Sequence, residues 1–499
     1  MKKVSAIALM IISILMMGQA VAPLLTRSEV VMQVDTFSTA NASLYVATTG
    51  SNANDCASAL TPCATLTGAI AKMPWVKRHI FTINVAAGTY TENPVIDGII
   101  ENGGGIDIVG PTMSAVSDAG VFTAVSNTAP ATFTDSTKTF TTDQWAGSFL
   151  VVTAGTGSGG IAPIIANTAT VITTGPTFTT GPDTASTYEI RRPAAIITSS
   201  TAASSTLFVK VAGVSPFYNS TTGAGRIRIT GLGFENSGAQ SVACRTETGG
   251  TQIDLVNTRC WCSNGTGQIH GGGPLRTNEF IAYGAGTVRN GLVLGSSASA
   301  SGSPASSWSN LPWGASLNRS NFFGGAGVAS AILLQAGGKW TVGTRGIALR
   351  ATAGSSAGVL DVRANIETTG GISASTLMIY CDATTAPGLN LGSSATSTGG
   401  TSVFAVSSLY VSGCGIGISA GNPRVVMNVV GNTTLNNILT TGVSALNGAF
   451  VRTGTITLTG TTPTNEVLID ALTLTAAQLD ANVPKISTNP TFGTTVSIQ

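Results

Sequence analysis

Charge is what this sequence has least of. Of its 499 residues only 9% are Asp, Glu, Lys or Arg, against about 25% in an ordinary soluble chain. That shortage excludes a chain built of charge-rich surface helices. It also excludes a basic groove that tracks phosphates. The 24 basic and 22 acidic residues leave a net charge of +2, which marks no nucleic-acid partner. The chain has two histidines, so His-rich metal sites and Ser–His–carboxylate triads have little to draw on. Gly, Ala, Ser and Thr fill the space. Thr, Val and Ile favour strands, and Gly and Asn favour turns. The composition therefore predicts an all-β chain with many turns.

Long apolar runs are also scarce, with one exception at the start. "MKKVSAIALMIISILMMGQAVAPLLTR" places Lys2 and Lys3 before an apolar run from Val4 to Met17. Small residues follow at Gly18, Ala20 and Ala22. This is the pattern of a secretion signal over residues 1–22. The alternative is an uncleaved membrane anchor, because no charge falls between Val4 and Thr26. Export predicts an oxidising compartment in which disulfides persist. Cys56 and Cys63, close together in a turn-rich segment, are the best disulfide candidates. Seven cysteines leave at least one outside any pair in a monomer.

"LYVATTG" from Leu44 alternates like a strand, "TLTGAIAKM" has apolar residues at helical spacing, and "HIFTINVAAGTYTENPVID" reads as strand, turn, strand. In this order the segment resembles the N-terminal part of right-handed parallel β-helix proteins, the pectate lyase-like architecture. The resemblance implies an amphipathic helix that caps the open end of the coil. It also implies a first-rung turn in which Gly88, Tyr90 and Glu92 are structural. From Val121 to Arg192 the style changes. "DSTKTF", "DQWAGSFLVVTAGTGSG", "IANTATVITTGPTF" and "STYEI" resemble a small β module of tailed-phage structural proteins and exported bacterial β-helix proteins. That resemblance implies a compact insertion with Trp145 in its core.

Short apolar strands between Gly, Asn and Ser turns then recur from Pro193 to about Phe450, the sign of a solenoid. Sliding "RIRITGLGFEN" forward by 28 residues lays it on "DLVNTRCWCSN". Leu232 is then expected on Cys260, Phe234 on Cys262, Asn236 on Asn264, and Arg226 beside Asp254. The expected fold is an all-β right-handed parallel β-helix with an N-terminal capping helix and one inserted β module. Its divisions are a signal at 1–22, cap and first rungs at 40–120, the module at 121–192, the coil at 193–450, and a C-terminal cap or oligomerisation segment at 451–499. A short helix is expected around Ala476 to Ala481.

β-helix enzymes that cut acidic sugars group carboxylates for calcium binding or for acid and base roles. Between Pro193 and Phe450 the acids are Glu235, Glu247, Asp254, Glu279, Asp361, Glu367 and Asp382. None are adjacent. No cofactor is expected, and calcium would fit only where carboxylates of different rungs gather. Asp361 and Arg363 share a strand face in "LDVRANIE"; they read first as a solvated ion pair and otherwise as members of a ligand-binding set. Cys260 and Cys262 of "CWC" share one face of a strand and read as core, with a disulfide to Cys244 as one option. "GTGSGG" at 155–160 lacks the Lys and helix of a phosphate loop. Trp308 and Trp313 lie in the most aromatic loop of the coil region, "SWSNLPWGASLNRSNFFGG". With Arg276, His270 and Tyr283 upstream they form a candidate glycan-contact set.

Three functions are compatible with this. The first is an exported, non-catalytic structural or adhesive protein of a cell or particle surface, with a polysaccharide or cell-surface glycan as partner. The second, implied by the β-helix resemblance, is a polysaccharide lyase or glycoside hydrolase. The third is a phage-like tail spike or fibre in a virion, for which a homotrimer is expected. Membrane contact is expected only through an uncleaved N-terminal segment.

Overall fold

The computed structural model describes residues 38–488 with interruptions, the longest at 211–225, 295–312, 363–375, 392–401 and 470–485. The segment around Ala476 to Ala481 and residues 1–22 lie outside the described residues. Among the described residues the regular secondary structure is almost entirely strand, and most strands pair in parallel into a β-helix-like solenoid. Each rung contributes to three ladders. The first runs through Ala42–Val46, Ile80–Val85, Gly105–Val109, Arg226–Thr230 and Gln252–Val256. The second runs through Gly88–Thr91, Ala195–Ser199, Leu232–Asn236 and Arg259–Cys262. The third runs through Val95–Asp97, Ser205–Lys210, Val242–Thr246 and Gly267–Gly271. Leu275–Gly284 and Trp313–Gly324 run through both of the first two ladders.

Alternation explains the core. In Ile80–Val85, Phe81, Ile83 and Val85 are buried while their neighbours are only partly so, the period-two pattern of a half-buried strand. Stacked inward residues build one continuous apolar column, from Val46 and Ile83 through Phe234, Phe280 and Phe322 to Leu409 and Leu435. The corner between the first and second ladders is a single left-handed residue. Gly231 (φ 72°), Asn257 (φ 50°), Glu279 (φ 52°), Arg319 (φ 45°) and Gly346 (φ 76°) repeat it. Gly and Asn tolerate that region best. Glu279 and Arg319 are the exceptions.

The stacking corrects the expected register. Phe234 lies on Cys260 and Asn236 on Cys262, and Arg228, not Arg226, lies beside Asp254. The repeat here is 26 residues, two fewer than the expected shift. A slip of two keeps every side chain on its own face, which is why the inward pairs still looked apt. Asn264 lies outside the described residues; the Asn236 Oδ1 accepts a turn bond from the Gly238 N–H at 2.9 Å. An Asn ladder does exist, from Asn318 Nδ2 to Asn278 Oδ1 at 2.9 Å.

At the N-terminal end, the loop closed by the Cys56–Cys63 disulfide covers the free edge of Ala42–Val46. Tyr45 N–H donates to the Cys56 carbonyl at 2.8 Å, and Cys63 N–H to the Tyr45 carbonyl at 2.8 Å. A bare strand edge is thereby paired. The helix Leu66–Ala71 follows, with Thr65 as N-cap and Leu66 and Ala69 buried. Glu92 accepts from Leu66 N–H at 2.7 Å and Thr67 N–H at 2.9 Å. Tyr90 donates its hydroxyl to the Ala86 carbonyl at 2.8 Å.

After Gly105–Val109 the chain leaves the coil and returns at Ala195–Ser199. Between them lies a seven-stranded antiparallel sheet, in the order Ala115–Val121, Thr187–Arg192, Phe149–Ala154, Ile161–Asn167, Val171–Thr174, Ala131–Thr134, Ala124–Ser126. It has its own core, in which Trp145 packs with Phe140, Phe133, Phe122 and Tyr188. Cys244 is bonded to Cys260 and Cys381 to Cys414; Cys262 is buried outside these pairs.

Candidate functional site

The second ladder carries two outward columns. One runs Gly233, Arg259, Ile281, Asn321, Ala348, Met378. All six are buried, although their parity points them away from the coil. For the upper part of the column, the cover is the antiparallel unit. Met113, Ala146, Phe149 and Ile165 form one apolar cluster with Ile281, Phe323, Ala348 and Met378. Polar ties fix the seam. Asn321 Nδ2 donates to the Pro163 carbonyl at 2.9 Å, and Arg319 donates to the Ile161 carbonyl and to Glu279.

Arg350 is the centre of the seam. Its guanidinium meets Asp143 of the antiparallel unit through Nη1–Oδ1 at 2.7 Å and Nη2–Oδ2 at 2.5 Å. It also bonds Asp382 of the next rung at 3.0 Å and the Ile165 carbonyl at 2.8 Å. This is a bidentate, charge-assisted arrangement. Burial pushes the Asp382 carboxyl up against the pull of Arg350. Burial likewise raises Glu279 despite Arg319.

The other outward column runs Thr198, Glu235, Trp261. Thr198, Glu235 and Trp261 are half-buried. They form a strip along the coil beside the first column; further along, the same parity reaches Phe323 and Arg350 beneath the antiparallel unit. Glu235 accepts from Arg259 Nη1 at 2.9 Å. An indole edge and a fixed acid–arginine pair on a rigid sheet suit a ligand with an apolar face and hydroxyls. Trp261 was legible in "CWC": Cys260 and Cys262 face inward, so the residue between them faces out.

The candidate residues chosen from sequence do not converge. Tyr283 stacks in register on Trp261. Arg276 belongs to the first ladder, between Asp254 and Ser316, and is exposed. His270 belongs to the third, between Arg245 and Val293. Asp361 is in the same third-ladder column as His270, reached through Val293 and Leu333, about 14 Å away at about 4.8 Å per rung. Trp313 opens Trp313–Gly324 opposite Gly338 and shares the parity of buried Leu317. Trp308 and Arg363 lie outside the described residues. Among the described residues no three His, Cys, Asp or Glu side chains gather to hold a metal, and no helix is long and apolar enough to cross a membrane.

No family model and no curated protein matches the chain. Among solved structures, one described as a glycoside hydrolase is 9% identical, with 90% of this chain and 96% of that chain covered and a TM-score of 0.27. The tailspike protein gp49 from Pseudomonas phage LKA1 is 10% identical, with 90% and 70% covered and a TM-score of 0.20. Scores this low carry no argument about what this chain does.

Proposed function

We propose that this is an exported, non-catalytic structural and adhesive β-helix protein of a cell or particle surface, which holds glycan along the Thr198–Glu235–Trp261 strip. In this reading residues 1–22 are its secretion signal, the coil is right-handed, Leu66–Ala71 caps it, and residues 121–192 belong to an inserted module. One observation carries the non-catalytic part. Glu235, Glu279 and Asp382 are each held by an arginine of a neighbouring rung, Arg259, Arg319 and Arg350. These acids serve as inter-rung ties. A general acid needs a carboxyl that is available to substrate. Three disulfides suit an oxidising compartment.

The test is incubation of the purified full chain with a panel of acidic and neutral polysaccharides, reading retention and release of chain ends together. Retention without new reducing or unsaturated ends is expected. Trp261→Ala should weaken retention at least tenfold at unchanged melting temperature. Release of ends overturns the non-catalytic reading in favour of a lyase or hydrolase. Undiminished retention by Trp261→Ala removes the strip as the site.

A further inference from the structure

A solenoid is held together mainly by contacts between adjacent rungs, so it can open at any weak rung. Two disulfides in the coil tie rungs covalently. Cys244–Cys260 joins Val242–Thr246 to Arg259–Cys262 of the next rung. Cys381–Cys414 joins Thr376–Leu391 to Ser408–Ala420. Between Cys262 and Cys381 the sequence has no cysteine. The antiparallel unit lands on that interval. It leaves the coil after Gly105–Val109, passes the rungs of Arg226–Asn236 and Gln252–Cys262, and grips Ile281, Asn321, Ala348 and Met378 on successive rungs. The partners it meets are up to 207 residues further along the chain.

We propose that the antiparallel unit is a brace: it ties the disulfide-free rungs from Leu275 to Val362 to one another and to Thr376–Leu391, so that they open only when it undocks. The seam has the chemistry of a lasting contact. Its centre is apolar, Arg350 is nearly buried with two carboxylates on it, and backbone carbonyls of Ile161, Pro163 and Ile165 accept bonds from the coil. Gly175 sits so close that a Cβ there would lie 2.1 Å from the Ala348 Cβ and 2.8 Å from Asn321 Oδ1. This inference does not depend on the proposed function.

Hydrogen exchange on the oxidised full chain tests it. In the native protein, Ile161–Asn167, Trp313–Gly324 and Ile347–Ala351 should exchange at one shared slow rate. In Arg350→Ala, exchange in these strands should rise at least tenfold while Arg226–Thr230 is unchanged. Should Arg350→Ala not fold, Asn321→Ala gives the same comparison, and the native measurement stands alone. Independent rates for the antiparallel unit and the coil strands in the native chain would overturn the proposal. So would an equal rise at every rung, or no rise, in the variant.

Discussion

Gly175 has no room for a side chain, and nothing in its own neighbourhood of sequence says so. The atoms a Cβ would strike belong to Ala348 and Asn321, whose positions are set by stacked strands. Gly175→Ala should therefore cost about 1–3 kcal/mol, read as a lower urea midpoint, with the whole loss abolished in a variant already undocked by Arg350→Ala. Tyr188 gives a second residue-scale prediction. Its ring is buried on Phe122 at 4.7 Å, and its hydroxyl donates to Asp135 at 2.8 Å. Burial, then the Asp135 bond, raises this phenol far above its ordinary value. The sign follows: the neutral phenol stabilises the fold fully below about pH 10, and that contribution fades as pH rises through the higher folded value. Unfolding free energy should fall in strong alkali, and Tyr188→Phe should flatten that fall while lowering stability near neutrality by about 1 kcal/mol. An unchanged alkaline slope would place the titrating group elsewhere.

Elements were legible where their signal is local. The N-terminal strand, turn and helix could be read from Leu44 onward because strand alternation and helical spacing are short-range patterns. Glu92 is structural because its carboxylate accepts from both the Leu66 and the Thr67 N–H groups at the start of the helix. Glu92→Ala should cost about 1–2 kcal/mol and raise exchange in Leu66–Ala71 first; Glu92→Gln, which keeps one acceptor, should recover part of it. The register was less legible. Rung length varies with the corners and turns, so a fixed shift of 28 residues missed a 26-residue repeat. Corners at Gly231, Asn257 and Gly346 carry residues suited to positive φ, but Glu279 and Arg319 do not. Their left-handed backbones cost about 1–2 kcal/mol each, which the ion pair between them helps to offset. A search for Gly or Asn corners would have skipped both.

The sequence pattern announces a solenoid with an inserted β unit, but not where that unit docks on the coil. Asp143 and Arg350 meet across 207 residues, and neither has a local feature that names the other. Their contact exists only because the coil brings successive rungs under the antiparallel unit. The consequence is an uneven response to reductant. Cys381–Cys414 closes a separation of 33 residues, worth roughly 3–4 kcal/mol by loop-entropy reasoning, and both cysteines are largely buried. Once it is reduced, the rungs beyond Ser408 keep only their neighbour contacts, whereas those from Trp313 to Ala351 keep the antiparallel unit across them. Limited proteolysis in strong reductant should therefore cut first beyond Ser408, with the Trp313–Ala351 rungs surviving as one resistant fragment that includes the antiparallel unit. The same digest on Arg350→Ala should lose that fragment. Early cutting between Trp313 and Ala351 in the reduced native chain would mean that those rungs are held only by one another.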